Sequence, residues 1–333
     1  MPVLRGDDPA ALAAAARRLA DGGLVGFATE TVYGLGARAD DDAAVAGIFA
    51  AKGRPADHPL IVHVADLAGA AAFAAELPPA ALRLAAAFWP GPVTLIVPRR
   101  PGVATASAAG QDSIGLRCPA HPQAQALLRA AATLGVPGVS APSANRFGRV
   151  SPTSAAHVAQ EFGDELLVLD GGDCAVGIES TIVDTSRGRP VLLRPGVLTP
   201  AELEAALGEP LHAADAQAPR ASGTLASHYA PRARVRLLSR DRLGTLLHTA
   251  DTDGDAAAIG QPGGVAVYSR LAVAGRPGLR WRAMPDAPAA VAHELFAVLR
   301  ALDADGVREI WVEQPPDGPA WDGVLDRLRR AAA

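Results

Sequence analysis

The sequence predicts an α/β protein: a twisted, mixed, open sheet followed by a smaller α/β domain. Three observations predict it. Short apolar runs alternate with alanine-rich helical segments over the first two-thirds of the chain. Several of these runs follow one another too closely for a crossover helix, so the strands cannot all be parallel. Near Gly208 the alternation stops, and it restarts beyond a stretch rich in Ala, Pro, Asp, Gln and Ser. With 333 residues, two domains are expected, since domains run to about 100–200 residues.

The elements follow in order. Leu24–Ala28 is a largely apolar run and reads as a buried strand. Asp41–Lys52 reads as a helix with acidic residues at its start, as the helix dipole favours. Leu60–Val64 is strand-like. Ala80–Phe88 is helical and stops at Trp89-Pro90-Gly91-Pro92, a cluster of breakers. Val93–Val97, Ser113–Leu116, Gly138–Ala141, Leu166–Leu169, Thr181–Asp184 and Val191–Leu193 are further strands. Helices are expected over Pro122–Leu134, Thr153–Phe162 and Pro200–Leu207. Glu209–Ser227 has no clean periodicity and reads as linker. Strands at Arg234–Leu238, Gly264–Tyr268 and Glu309–Glu313, with helices at Ala289–Leu302 and Trp321–Arg330, then build the second domain. The expected division is 1–207, a linker at 208–231, and 232–333.

Composition narrows the function classes. Apolar residues are 49% and charged residues 20%, an ordinary globular balance. The net charge of −4 lacks the basic excess of a broad nucleic-acid face, although a local patch is compatible with it. Cys118 and Cys174 are the only cysteines and have no paired metal spacing, which argues against a disulfide framework or a zinc site. Met1 to Pro9 has no apolar signal region, and no apolar stretch reaches spanning length. A cytoplasmic protein, neither secreted nor in a membrane, is expected.

Five groups of residues can carry chemistry. Thr29-Glu30-Thr31-Val32-Tyr33-Gly34-Leu35-Gly36 crowds the exit of a strand, where ligands of open α/β sheets sit. A turn using Gly34 and Gly36 for positive φ explains it equally well. Lys52-Gly53-Arg54 is a compact cationic head suited to a polyphosphate, or a basic helix C-terminus. Lys52 is the only lysine in the chain. A role needing nothing but positive charge was open to arginine there too. His58 and His63 follow it. His63 falls inside an apolar strand, where a core histidine is the usual outcome. Ser140-Ala141-Pro142-Ser143-Ala144-Asn145, with Ser151 beyond, offers small residues and hydrogen-bonding groups for phosphate, or a helix cap. No G-x-x-x-x-G-K-[ST] occurs, which argues against a P-loop. Gly177–Asp184 with Arg194-Pro195-Gly196 reads by itself as turn chemistry plus a surface arginine, or as phosphate contacts. His228-Tyr229-Ala230-Pro231 stands in an otherwise featureless linker, as a latch or as part of a site.

Together and in this order, these groups resemble the YrdC-like family of threonylcarbamoyl-AMP synthases. The resemblance is to its long form, in which a catalytic domain is joined by a linker to a small Rossmann-like domain. Specific motifs cover about Leu12 to Pro231; beyond them it rests on domain arrangement. Three positions depart from the family pattern. Ala28 stands where proline often precedes Thr-Glu-Thr, and Ser222 and Thr224 flank Gly223 where proline and methionine are frequent.

The resemblance implies a nucleotidyltransferase that turns L-threonine, bicarbonate and ATP into threonylcarbamoyl-AMP, pyrophosphate and water, with Mg2+ accompanying ATP. Lys52 and Arg54 would be catalytic, holding the ATP phosphates. His58, Ser113, Ser143, Asn145, Ser151, Arg194 and Tyr229 would also contact the nucleotide. Thr31, His63, Arg117, Ala141 and Ser180 would form the threonine pocket, with Arg117 facing the substrate carboxylate. His228 and Tyr229 would fold over the pocket as a lid, keeping a labile carbamate from water. His58 or His63 could act as a general base, or the amine could react as the free base. The product would pass to the transferase complex that makes threonylcarbamoyladenosine beside the anticodon. No direct tRNA binding by this chain is required. A nucleotide- or RNA-binding protein of the same fold without synthase activity is the alternative. A hydrogenase-maturation carbamoyl transferase would need zinc-finger cysteines that the sequence lacks.

Overall fold

A computed structural model describes residues 3–225, 228–248, 259, 263–273 and 277–333. The chain forms two units, Met1–Phe147 with Ser151–Thr224, and Gly148–Val150 with Leu225–Ala333.

In the first unit β1 (Val3–Arg5) leads into α1 (Pro9–Ala20), whose N-terminus is capped by the Asp8 carboxylate at the Ala10 amide. Next come β2 (Val25–Phe27), β3 (Gly34–Arg38), α2 (Asp42–Lys52), β4 (Ile61–His63), α3 (Leu67–Ala71) and α4 (Pro79–Phe88). They are followed by β5 (Val93–Pro98), β6 (Ser113–Arg117), α5 (Pro122–Thr133), β7 (Val139–Ser140) and α6 (Ala155–Phe162). The unit ends with β8 (Leu167–Asp170), β9 (Thr181–Asp184), β10 (Val191–Arg194), α7 (Pro200–Leu207) and β11 (His212–Ala213). The strands join one 11-stranded sheet in the order β1-β8-β2-β3-β7-β4-β6-β5-β9-β10-β11. Pairings are mixed: β4 runs parallel to β6, β6 antiparallel to β5, and β5 parallel to β9.

Strand register sorts the central side chains onto two faces, because directly paired residues share a face and chain neighbours do not. Leu116 pairs with both Val62 and Leu95, and Leu95 pairs with Val183. These four form a core with Ala70, Phe73, Leu84 and Leu203, so α3, α4 and α7 cover that face. His63 pairs with Arg117, Ile61 and Ile96 with Gly115, Thr94 with Ile182, and Ile182 with Arg194. The second face therefore carries a row of polar groups around a small apolar patch of Ile61, Ile96 and Ile182.

The segment expected as linker is built into the first unit as far as Thr224. β11 extends the sheet beside β10. The Asp215 carboxylate accepts from Arg187 at 2.8 Å and pairs with Arg189. The Gln111 amide accepts from the Arg220 backbone at 2.8 Å and donates back at 3.2 Å. Residues 226 and 227 of the expected linker lie outside the described residues.

The second unit comprises β12 (Arg234–Leu238), α8 (Arg240–His248), β13 (Val265–Ser269), β14 (Leu279–Ala283), α9 (Pro288–Ala304), β15 (Glu309–Glu313) and α10 (Asp322–Ala331). Among the described residues its four strands are all parallel, in the order β12-β15-β13-β14. Trp311, Val265 and Val267 anchor one side of its core with Leu243 and Leu246 of α8.

Seven elements were not expected from sequence: β1, α1, β3, α3, β11, α8 and β14. α1 is largely alanine, so its buried stripe has little contrast with its open side. β3 lies inside the motif read as a turn and contains two glycines. β14 sets Arg280 and Arg282 on either side of Trp281 and is largely exposed. Among the described residues no helix is long and apolar enough to cross a membrane.

Candidate active site

The cationic head is set by a helix ending. Gly53 caps α2 in the left-handed conformation at φ 64°, and the Arg54 amide bonds back to the Phe49 carbonyl at 3.0 Å. Lys52 is only 2% exposed. Its Nζ donates to the Ser143 carbonyl at 2.6 Å and also to the Asn145 carbonyl. Burial, reinforced by the neighbouring Arg54 guanidinium, holds the Lys52 ammonium well below its ordinary range. Arg54 is also buried and donates from Nη2 to the Pro59 carbonyl at 3.1 Å. Lys52 thus joins α2 to the loop after β7, the loop that carries Ser143 and Asn145. That loop is further held at its start, where the Ala141 amide bonds to the Ile61 carbonyl at 3.0 Å.

A second group surrounds Arg117. Its Nη1 donates to Thr31 Oγ1 at 2.8 Å and its Nε to the Gly91 carbonyl at 3.3 Å. Nη2 lies 2.8 Å from Glu30 Oε1. Thr31 Oγ1 is also 2.9 Å from Thr29 Oγ1, so the turn between β2 and β3 is braced from within. His63 sits beside Arg117 in register, edge-on to Phe27 with ring centroids 6.2 Å apart. Burial, aided by Arg117, lowers the His63 imidazole to about 3. It is therefore neutral at physiological pH.

A third group joins strand ends farther along the same face. Ser180 Oγ is 2.8 Å from Thr94 Oγ1. The buried Arg194 donates from Nη2 to the Ser180 carbonyl at 2.8 Å and from Nη1 to the Ser222 carbonyl at 2.8 Å. Thr94 and Ser222 also line an open cleft, together with Ser113, Ile61, Ile96 and Ile182. Its apolar floor and few polar groups suit a flat heterocycle. Ser151 Oγ donates to the buried Glu179 carboxylate at 2.5 Å.

Of the residues expected at the site, Lys52, Ser143 and Asn145 meet directly, as do Thr31 and Arg117, and Ser180 and Arg194. Arg54, His63, Ala141, Ser113 and Ser151 belong to the same unit. His58 is partly exposed, 3.8 Å from Asp57 and tilted on Phe147 at 5.5 Å between centroids, and the nearby Arg54 guanidinium helps lower its imidazole after burial. His228 and Tyr229 belong to the second unit. There Tyr229 stacks on Phe296 at 5.3 Å, and Arg327 lies over its ring at 5.6 Å. Sequence reasoning missed Glu30, Glu179 and Thr94 as members of these clusters. The two glutamates stood inside quoted motifs. Their signal was a carboxylate in an otherwise apolar or hydroxyl-bearing run.

The neutral His63 has a consequence for stability. The unfolded imidazole takes up a proton near pH 6.5, whereas the folded one resists until about 3. Its contribution is therefore complete above pH 6.5 and is lost as pH falls toward 3. Urea midpoints at pH 7 and pH 5 should fall more for the wild type than for His63→Gln. Equal falls would show that His63 is not held neutral by the fold.

The first unit matches a known family along most of its length. Residues 17–196 fit the Sua5, YciO and YrdC family model described as telomere recombination. Residues 198–333 fit the threonylcarbamoyl-AMP synthase C-terminal domain. The threonylcarbamoyl-AMP synthase of Pyrococcus abyssi is 36% identical over 330 residues, covering 96% of this chain and 93% of that protein. That of Bacillus subtilis is 36% identical over 333 residues, covering 96% and 92%. The crystal structure of P. abyssi Sua5 complexed with L-threonine superposes with a TM-score of 0.85 at 36% identity, covering 96% of this chain and 94% of that one.

Proposed function

The chain belongs to the threonylcarbamoyl-AMP synthase family, and on that premise we propose that it condenses L-threonine, bicarbonate and ATP into threonylcarbamoyl-AMP. The observation that carries this reading is the placement of a buried guanidinium, Arg117, beside a neutral imidazole, His63, on one sheet face. A guanidinium offers parallel donors to a carboxylate, and a neutral imidazole can bond a hydroxyl without adding charge. Threonine has both groups.

The threonine amine attacks the bicarbonate carbon. An N–C bond forms, and the amine proton and a bicarbonate hydroxyl leave as water. A carbamate oxygen then attacks the α-phosphorus of ATP, and the bond to pyrophosphate breaks. Lys52 and Arg54 would neutralise the charge that develops on the departing pyrophosphate. Ser143, Asn145, Ser151 and Arg194 would hold the nucleotide, and the cleft at Ser113 would take the base. This makes the enzyme a nucleotidyltransferase. The product would feed the transferase that modifies tRNA beside the anticodon.

Among the described residues no cluster of three His, Cys, Asp or Glu side chains is placed to cage a metal. Magnesium would accompany the ATP phosphates, and no protein ligands are assigned to it. Bound there, it would supply charge neutralisation. The chain's own part is to position the phosphates and exclude water.

The test is pyrophosphate release by the purified protein in bicarbonate buffer. Release should require L-threonine and ATP and should stop when EDTA removes magnesium. No release in the presence of ATP binding would replace the synthase with a nucleotide-binding protein of the same fold.

A further inference from the structure

Glu30 stands one residue before Thr31, so a single turn delivers both a carboxylate and a hydroxyl to Arg117. The Glu30 side chain is only 10% exposed. Its own backbone is tied down, because its carbonyl accepts from the Val176 amide at 2.7 Å. Although Oε1 lies 2.8 Å from Arg117 Nη2, neither carboxylate oxygen takes an aligned hydrogen bond among the described residues. The contact is one of charge and position. With Thr31 and Gly91 it borders the guanidinium through three separate nitrogens.

A guanidinium carries five N–H donors. Two are spent on Thr31 Oγ1 and the Gly91 carbonyl, which leaves donors to receive a ligand carboxylate. Where those donors point depends on the plane in which the long side chain is held. Arg117 is 3% exposed, so water cannot hold it. A buried guanidinium also needs a counter-charge when no ligand is present. Glu30 meets both needs from a fixed backbone.

We propose that Glu30 is a positioning residue: it sets the plane of the Arg117 guanidinium so that the remaining donors meet the carboxylate of the amino-acid substrate. The inference rests on the reading that this substrate is L-threonine. Glu30 acts through Arg117 and makes no contact of its own in the reaction.

The test separates reach from charge. Glu30→Gln keeps the length of the side chain and loses its charge. Glu30→Asp keeps the charge and withdraws it by one methylene. Steady-state pyrophosphate release should show a KM for L-threonine raised at least fivefold in Glu30→Gln, which removes the counter-charge beside Nη2, and raised also in Glu30→Asp, which withdraws it. The KM for ATP should stay within twofold in both, and kcat within threefold. A purely structural role would lower the melting temperature and the active fraction without splitting the two KM values. A threonine KM unchanged from wild type in either variant, or a joint rise in the KM values for threonine and ATP, would overturn the proposal. Calorimetric titration of L-threonine alone into each protein gives a second readout that needs no turnover. Wild type that binds threonine without releasing pyrophosphate would overturn the synthase reading. The proposal about Glu30 would then stand or fall on the loss of threonine affinity in both variants.

Discussion

Arg54→Ala is expected to lower kcat/KM for threonine-dependent pyrophosphate release by at least about a hundredfold, with far-UV circular dichroism unchanged. Charge-stabilising arginines at phosphoryl centres are worth about 10³–10⁵ in rate. Arg54 follows the left-handed Gly53, so its backbone direction is set by the end of α2 and not by its own side chain. Arg54 Nη2 donates to the Pro59 carbonyl at 3.1 Å, a neutral acceptor. Arg54→Lys should recover part of the activity, because an ammonium keeps the charge but loses the bidentate fork. Wild-type kinetics in Arg54→Ala would remove this residue from the phosphate site.

Lys52→Ala is expected to cost both activity and stability. The Lys52 ammonium is the donor for two backbone carbonyls in the loop that carries Ser143 and Asn145. Its loss strands those acceptors and leaves a void. An unsatisfied buried acceptor costs about 1–3 kcal/mol, so a total loss of about 2–4 kcal/mol in denaturant unfolding is expected. Lys52→Met fills the volume and should regain part of that stability, while activity stays reduced by at least about a hundredfold. The pair separates two roles. Recovery of stability without activity supports an ammonium that works on substrate as well as on the loop. Recovery of both in Lys52→Met would leave Lys52 a packing residue.

Much of the first unit was legible because its strands are short apolar runs bounded by breakers. Thr181–Asp184 and Pro200–Leu207 coincide with the observed elements to the residue. The second unit was legible where apolar density was high, as in β15 and α9. It was not legible at β14, a five-residue strand that is largely exposed, with arginines on either side of Trp281. The stretch from Glu209 had no periodicity, yet β11 and its arginine pairs bind it to the sheet as far as Thr224. Those pairs are between distant residues and leave no local pattern.

By itself the sequence determined which residue types stand at which strand ends, because periodicity and breakers are local properties of the chain. It placed Thr31 after β2, His63 in strand β4, Arg117 just past the strand read as Ser113–Leu116, and Lys52 with Arg54 around a helix-ending glycine. The tertiary structure alone decided what each of these groups faces. Arg117 meets Thr31 across 86 positions, and Lys52 meets the Ser143 carbonyl across 91. Glu30 became a partner of Arg117 only when the turn after β2 was laid against β6. Such pairings are set by strand register and by the packing of helices on the opposite face, and these depend on the whole sheet closing at once.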